Sequence, residues 1–269
     1  MNEFDLYENL TRFRWPLIER MVGSLDIVQG SKGIDIGCGI GSITGLLSQK
    51  TGPGGEVTGL DFSNEMIRYA REHTKQKNLR FVQGDVSSLA LEPASFDWIW
   101  SMDTIWAGPT EYGCPAAEPG HMLNQLYRIL KPGSKIYLSY WSAQKLLPGH
   151  PLLEARLNTS ASANAPYVKG MDPDHHVLFG RKWLLKAGFA DVEARSFAGD
   201  VAGPLNKADK AALASLFDML WAPSENELPA EDREEYLACC SPASVSFVPD
   251  DPGYYGFYIY TLFQGTKKK

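Results

Sequence analysis

The stretch Gly33–Thr44, G-I-D-I-G-C-G-I-G-S-I-T, limits what this 269-residue chain can fold into more than any other. It opens as a short apolar strand with Ile34 and Ile36, breaks at Gly37, Gly39 and Gly41, and resumes with a helical pattern. Glycines at this spacing let backbone approach a ligand with no Cβ in the way. The helix that follows aims its free N–H groups at whatever sits there. A nucleotide-type cofactor loop is expected. The dinucleotide fingerprint G-x-G-x-x-G fails by one place, since Ser42 stands where its last glycine belongs and Gly41 arrives early. The P-loop pattern fails too, because no Gly-Lys-Ser/Thr follows.

Asp35 turns the stretch into acidic-x-Gly-x-Gly-x-Gly, and two further acids follow the next two strands. E-V-T-G-L-D, residues 56 to 61, reads as a buried strand ending in Asp61. That acid falls 24 residues after Gly37, where a βαβ unit places a ribose-binding carboxylate. Ser63 caps the next helix, in which Met66, Ile67 and Ala70 share a face. L-R-F-V-Q, 79 to 83, is a third strand running into Gly84-Asp85-Val86. S-F-D-W-I-W-S-M-D, 95 to 103, is a fourth, and it puts Ser101, Met102 and Asp103 at the carboxyl edge, where open α/β sheets bind ligands.

In order, these segments resemble the motifs of the class I S-adenosylmethionine (SAM) dependent methyltransferases of the ubiquinone/menaquinone-biosynthesis-like kind, methyltransferase type 11/25. The specific resemblance runs from residue 33 to 141. It implies an α/β fold: a Rossmann-like, seven-stranded, mostly parallel sheet with the last strand antiparallel, helices on both faces, and helical cap elements. It also implies SAM as cofactor and S-adenosylhomocysteine as product. The cofactor would be held by Asp35, Gly37, Cys38, Gly39, Asp61, Phe62, Met66, Gly84, Asp85, Val86, Ser101 and Met102. Within that set Asp61 would take the ribose hydroxyls, Phe62 and Met66 would lie against adenine, and Asp85 would accept from the adenine amino group beside the Val86 backbone.

The chain departs from some members of that class at a diagnostic place. Enzymes that methylate amino groups of nucleic acid carry Asn/Asp-Pro-Pro-aromatic where this chain has Met102-Asp103-Thr104, and no metal-binding acid set of the catechol type is found. A net charge of −6 also weighs against nucleic acid, which calls for a basic face. The expected partner is therefore a small-molecule methyl acceptor, with no metal. The cysteines at 38, 114, 239 and 240 form no C-x-x-C pair, and the five histidines offer no metal spacing. Adjacent Cys239 and Cys240 could chelate a soft metal or form a strained disulfide, but reduced thiols near a helix end is the favoured reading. Cys38 lies at a helix N-terminus, where a thiol can acidify, though a small side chain between glycines is reason enough for it.

A composition of 44% hydrophobic and 22% charged residues is that of a soluble globular domain. No apolar run approaches the roughly 18 to 20 residues that span a bilayer. The acidic start M-N-E-F-D-L-Y-E-N-L is unlike a signal peptide. A cytoplasmic protein is expected, as monomer or homodimer.

One methyltransferase domain is expected over 1–269. Residues 1–28 would form an N-terminal helical lid, with Pro16 in a first turn, and 29–141 the SAM-binding core. Leu130-Lys131-Pro132-Gly133 would make the turn into the fifth strand. Segments 142–188 and 200–250 would be substrate-side cap insertions, and 189–199 and 254–264 the last two strands.

The implied chemistry is in-line displacement at the sulfonium methyl, in which the protein chiefly positions the acceptor. Should the acceptor have to lose a proton, Asp103, His175 and His176 are the candidate bases. Trp106, Tyr112 and Trp141 are candidate walls of an acceptor pocket, with ordinary packing as the competing reading. Two other functions remain open: a non-catalytic SAM-binding or regulatory protein, and a dinucleotide-dependent oxidoreductase, which the misplaced glycine disfavours.

Overall fold

Short apolar runs punctuated by glycine turns build the sheet of this computed structural model, which describes residues 3–109, 113–165, 167 and 170–269. In chain order the elements are α1 (Glu3–Gly23), β1 (Lys32–Ile36), α2 (Ser42–Thr51), β2 (Glu56–Asp61), α3 (Asn64–His73), β3 (Leu79–Gln83), β4 (Phe96–Met102) and α4 (Pro119–Ile129). There follow β5 (Leu130–Lys145), α5 (Pro151–Thr159), α6 (Ala161–Asn164), α7 (Gly180–Lys186), β6 (Ala190–Ala202), α8 (Lys207–Trp221), α9 (Ala230–Cys240) and β7 (Tyr255–Thr266).

The seven strands lie in the order β3-β2-β1-β4-β5-β7-β6. The first five pair in parallel, and the sheet is mostly parallel with the last strand antiparallel. The expected fold class is therefore the observed one. Strands β1, β2 and β4 are buried almost end to end, as a parallel sheet covered on both faces requires. At the edge, β3 buries Phe81 but leaves Arg80 and Gln83 exposed, a polarity that discourages edge pairing. From β1 the chain builds outward through β2 and β3, then crosses back to β4 on the other side of β1. The ladder pairs Ile36 with Ser101, which sets the ends of β1 and β4 side by side at this switch point. That is where open α/β sheets form a ligand crevice.

Two local expectations are corrected. Pro16 lies inside α1 rather than in its first turn, and the helix stops at Gly23. Proline deprives the Arg12 carbonyl of its intrahelical donor, yet the helix continues because Leu17, Ile18 and Met21 are fully buried beyond it. The Leu130–Gly133 turn does not precede the strand but interrupts it. Leu130 already pairs with Phe96, and the register then jumps to Trp98 opposite Lys135, with Gly133 at φ +80° in the bulge.

The chain clusters into two compact units. The first comprises Ile18–Ser142, Met171–Phe197 and Tyr260–Lys269, and its core includes Ile34, Ile36, Ile99, Trp100, Ile136 and Leu138, all inaccessible to solvent. The second comprises Met1–Leu17, Ala143–Gly170 and Ala198–Ile259. There Phe217 stacks on Trp221 with centroids 5.5 Å apart, and Trp221 Nε1 donates to Asn158 Oδ1 at 2.8 Å. All four cysteines are buried, and Cys239 and Cys240 form no disulfide. Among the described residues no helix is long and apolar enough to cross a membrane.

Candidate active site

The ends of β1, β2 and β3 are tied together by backbone. The N–H groups of Gly37 and Cys38 both donate to Leu60 O, at 2.7 and 3.0 Å, and Gly84 N donates to Asp61 O at 2.9 Å. Asp61 then joins loop to helix: its Oδ2 accepts from Gly39 N at 2.8 Å and its Oδ1 from Ser63 N at 2.9 Å. Each carboxylate oxygen keeps a lone pair for a further donor, and the residue is only half-buried.

The glycines close one side of this loop and open the other. At Gly37, φ +75°, a Cβ would lie 1.9 Å from Thr104 Oγ1. Thr104 is itself held by a 3.0 Å bond from its hydroxyl to Met102 O. Gly39, φ +49°, is the opposite case, for a Cβ there meets no protein atom within 4 Å. Beside that space stands the N-terminus of α2, whose cap residue Gly41 brings no side-chain acceptor. Open room, free helix N–H groups and an acid with lone pairs to spare form a cradle that suits a polar, hydroxyl-bearing ligand.

Asp35 supports the cradle from within. It is 2% exposed, and its Oδ2 accepts from Thr44 Oγ1 at 2.7 Å, bracing β1 against α2. Burial pushes its carboxyl up to about 7; the Thr44 bond opposes the shift and the Asp61 charge adds to it. Cys38 packs with Ile67, Ala70 and Phe81. Burial, reinforced by the charges of Asp35 and Asp61, pushes its thiol well up, so packing rather than acidity is its part here.

Farther along the crevice, Phe62 is 77% exposed, unusual for an aromatic ring directly after a strand. Met66 is buried behind the Ser63 cap. Asp85 Oδ1 accepts from Ser87 N at 2.7 Å, capping a 3-10 turn over Val86–Ser88, and Val86 is buried. Ser101 Oγ donates to Ile36 O at 3.0 Å, locking β4 to β1, with Met102 nearly buried after it.

Asp103 is where the site departs most from ordinary backbone. It adopts φ +50°, a region that non-glycine residues visit seldom and Asp more readily than most. Its N–H donates to Ser139 O at 2.9 Å. Its Oδ1 accepts from Trp141 N at 2.9 Å, and its Oδ2 from the Tyr260 hydroxyl at 2.6 Å. Trp106 Nε1 donates to its carbonyl at 2.8 Å. The rings of Trp141 and Tyr260 meet edge to face at 5.5 Å, and those of Trp106 and Tyr140 at 6.3 Å. Asp103 is thus gathered with Trp106 and Trp141 in one aromatic frame, while Tyr112 lies outside the described residues. The histidines belong to a polar turn. His175 N donates to Asp172 O at 3.0 Å, and His176 Nδ1 accepts from Leu178 N at 3.2 Å, with burial lowering the His176 pKa.

Two participants were not foreseen. Thr104 fills the side of Gly37, and Tyr260 reaches Asp103 from 157 positions along the chain. The one signal in the sequence is the two-residue period, which puts Tyr258 and Tyr260 on one face of the last strand.

Known proteins resemble this chain in sequence and in fold. The family model described as a methyltransferase domain matches residues 27–195, more than half of the chain. A demethylmenaquinone methyltransferase of Staphylococcus aureus is 29% identical over 227 residues, which cover 74% of this chain and 86% of that protein. A chain of the complex between the Haloferax volcanii Trm112 methyltransferase activator and a methyltransferase is similar in structure, with TM-score 0.59 and 21% identity over 100% of this chain and 99% of that one. Phosphoethanolamine N-methyltransferase 2 of Haemonchus contortus, solved with S-adenosyl-L-methionine, gives TM-score 0.55 and 17% identity over 97% of this chain and 56% of that one. At such identities the two solved structures speak for the fold.

Proposed function

This chain belongs to the class I SAM-dependent methyltransferase family, and from that premise we propose that it methylates a small, partly apolar acceptor. The observation that carries this reading is the aromatic frame of Trp106, Trp141 and Tyr260 around Asp103, at the edge where the acceptor must arrive. Apolar walls with a few fixed polar groups are the usual make-up of a small-molecule site. The S. aureus relative, named for demethylmenaquinone, makes a ring compound with an apolar substituent a sensible first acceptor to try.

When bound, SAM supplies a methyl group activated on a sulfonium, and its transfer leaves S-adenosylhomocysteine. The rest of the proposal concerns this chain's own residues. Asp61 accepts from ribose hydroxyls, since its oxygens are already aimed by Gly39 and Ser63 and retain lone pairs. Phe62 and Met66 lie against adenine, Asp85 and the Val86 backbone recognise its edge, and the open face of Gly39 admits the cofactor beside α2. The loop residues Gly37, Cys38 and Gly84, with Asp35 beneath them and Ser101 and Met102 beyond, set the shape of that crevice.

Holding the acceptor in line is the main contribution, of the order of 7–11 kcal/mol in favourable cases. Of the three candidate bases, Asp103 stands in the aromatic frame. Its oxygens already accept from Trp141 N and the Tyr260 hydroxyl, so its first task is to orient that hydroxyl. His175 and His176 would matter only for an acceptor that must give up a proton.

A panel of naphthoquinol, catechol, amine and thiol acceptors, with RNA and protein as controls, tests the proposal by release of S-adenosylhomocysteine. Release with a small apolar acceptor, lost in Asp61→Ala together with SAM binding, is the expected outcome. Release with RNA or protein alone would overturn it, and tight SAM binding with no transfer to any of them would favour a regulatory role.

A further inference from the structure

The unit formed by Met1–Leu17, Ala143–Gly170 and Ala198–Ile259 contains a cleft of about 530 Å³, lined in part by His150, Arg156, Glu231, Asp232 and Glu235. His150 is the N-cap residue of α5, while Glu235 and Cys239 stand four apart on α9 and so share one face of it. His150 joins them. Its Nδ1 lies 2.6 Å from Glu235 Oε1, and its Nε2 lies 3.4 Å from Cys239 Sγ. One donor atom from each of the three residues falls within 4.8 Å of the other two.

The separations match a chelate. Zinc held at about 2.3 Å by sulfur and about 2.0–2.1 Å by nitrogen, at a tetrahedral angle, keeps those two atoms about 3.5 Å apart. The Nε2–Sγ distance of 3.4 Å is already that bite. A carboxylate on the far ring nitrogen is also the usual partner of a metal-binding imidazole, fixing the ring and leaving Nε2 for the ion. Glu235 holds the ring this way before an ion arrives and, as the least buried of the three at 43% side-chain exposure, would give up that contact to turn onto the ion as a third donor.

A separate observation points to the same cleft. Asp232 is 3% exposed; its Oδ1 pairs with Arg156, whereas its Oδ2 is buried with no hydrogen-bond partner. A buried acceptor left this way is costly unless a donor arrives. Glu231, Asp232 and Glu235 face a single Arg156 around the cleft, so the local charge favours a cation. The same thiol–imidazole–carboxylate order could describe a nucleophile, but Cys239 is 2% exposed and burial, with the Glu235 charge, pushes its thiol up to about 11.

We propose that His150, Cys239 and Glu235 bind a zinc-class divalent cation at this cleft, with Asp232 Oδ2 accepting from a water on the ion's open side. The metal takes the place of the Cys239 thiol proton, which leaves to solvent, and the ion ties the start of α5 to α9. This site is independent of the methyl-transfer reading.

The test uses the full chain stripped of metal, titrated with zinc chloride against a chromophoric chelator and with cobalt chloride for spectra. One zinc per chain, a raised melting temperature and a thiolate-to-cobalt charge-transfer band are expected. The band reports sulfur ligation in the unmutated protein, so the test survives a variant that fails to fold. His150→Ala and Glu235→Gln should weaken zinc binding at least 10- to 100-fold with SAM affinity unchanged. Cys239→Ser should abolish the band and Cys240→Ser should keep it. Absence of stoichiometric zinc binding, or a cobalt band that persists in folded Cys239→Ser, would overturn the proposal.

Discussion

Replacing Gly39 by alanine separates what the loop needs in order to fold from what it needs in order to bind. A Cβ at this position meets no protein atom within 4 Å, and the N–H that donates to Asp61 is kept. The cost to folding is then only that of an L-residue at φ +49°, about 1–2 kcal/mol. For a chain of this size that is a melting shift of about 2–8 °C. The cost to binding is larger, because the new methyl occupies the space assigned to the cofactor. A cofactor displaced by one methyl group gives up at least one hydrogen bond to a charged partner, about 1.5–3 kcal/mol. That lowers SAM affinity roughly 10- to 150-fold. Gly37→Ala is the contrasting case. Its Cβ would collide with Thr104 at 1.9 Å, so stability should fall by clearly more than in Gly39→Ala. Calorimetric titration with SAM and thermal melts of the three proteins decide the matter. Wild-type SAM affinity in Gly39→Ala, or equal destabilisation of the two variants, would refute the assignment of that open space.

Phe62→Ala removes a ring that buries little in the free protein, so stability should change by no more than about 0.5 kcal/mol. Loss of stacking on a base, worth about 1–3 kcal/mol, should weaken SAM binding roughly 5- to 150-fold; an unchanged dissociation constant would end that role. Tyr260→Phe takes a donor from Asp103 Oδ2 and should cost about 1.5–3 kcal/mol in urea unfolding. It should also lower kcat with little change in SAM affinity, and equal stability and turnover would count against the frame. Asp35 makes a prediction about pH. Its folded pKa of about 7 lies above the unfolded value of about 3.9, so the native state binds the extra proton between them. Its contribution to stability is therefore complete below about pH 4 and is lost as pH rises to about 7. Asp35→Asn keeps an acceptor for Thr44 and should flatten the stability slope over that window, and an unaltered slope would show that Asp35 does not titrate there.

Much of the fold was legible because its signals are local. Gly37 to Gly41, Asp61 and Asp85 each follow a short apolar strand, and the distance from strand to acid is set by a few residues of backbone. A parallel sheet covered on both faces buries its strands along their length, so β1, β2 and β4 announce themselves as apolar runs. Even the misjudged Pro16 and the Leu130–Gly133 bulge have a common cause, since burial of neighbouring apolar residues outweighed the local preference of proline and glycine.

What tertiary structure decided are the pairings between distant positions. Tyr260 on Asp103, Thr104 against Gly37, and His150 between Glu235 and Cys239 join side chains whose separation in sequence carries no period. Spacing can place a residue on a strand or a helix face, because backbone geometry repeats over a few residues. It cannot say which other face will be packed opposite, because that depends on how all the elements share their apolar surface. The sequence alone therefore determined the family, the cofactor and the outline of the sheet; the clamp on Asp103 and the His150 cluster came into view only with the folded chain.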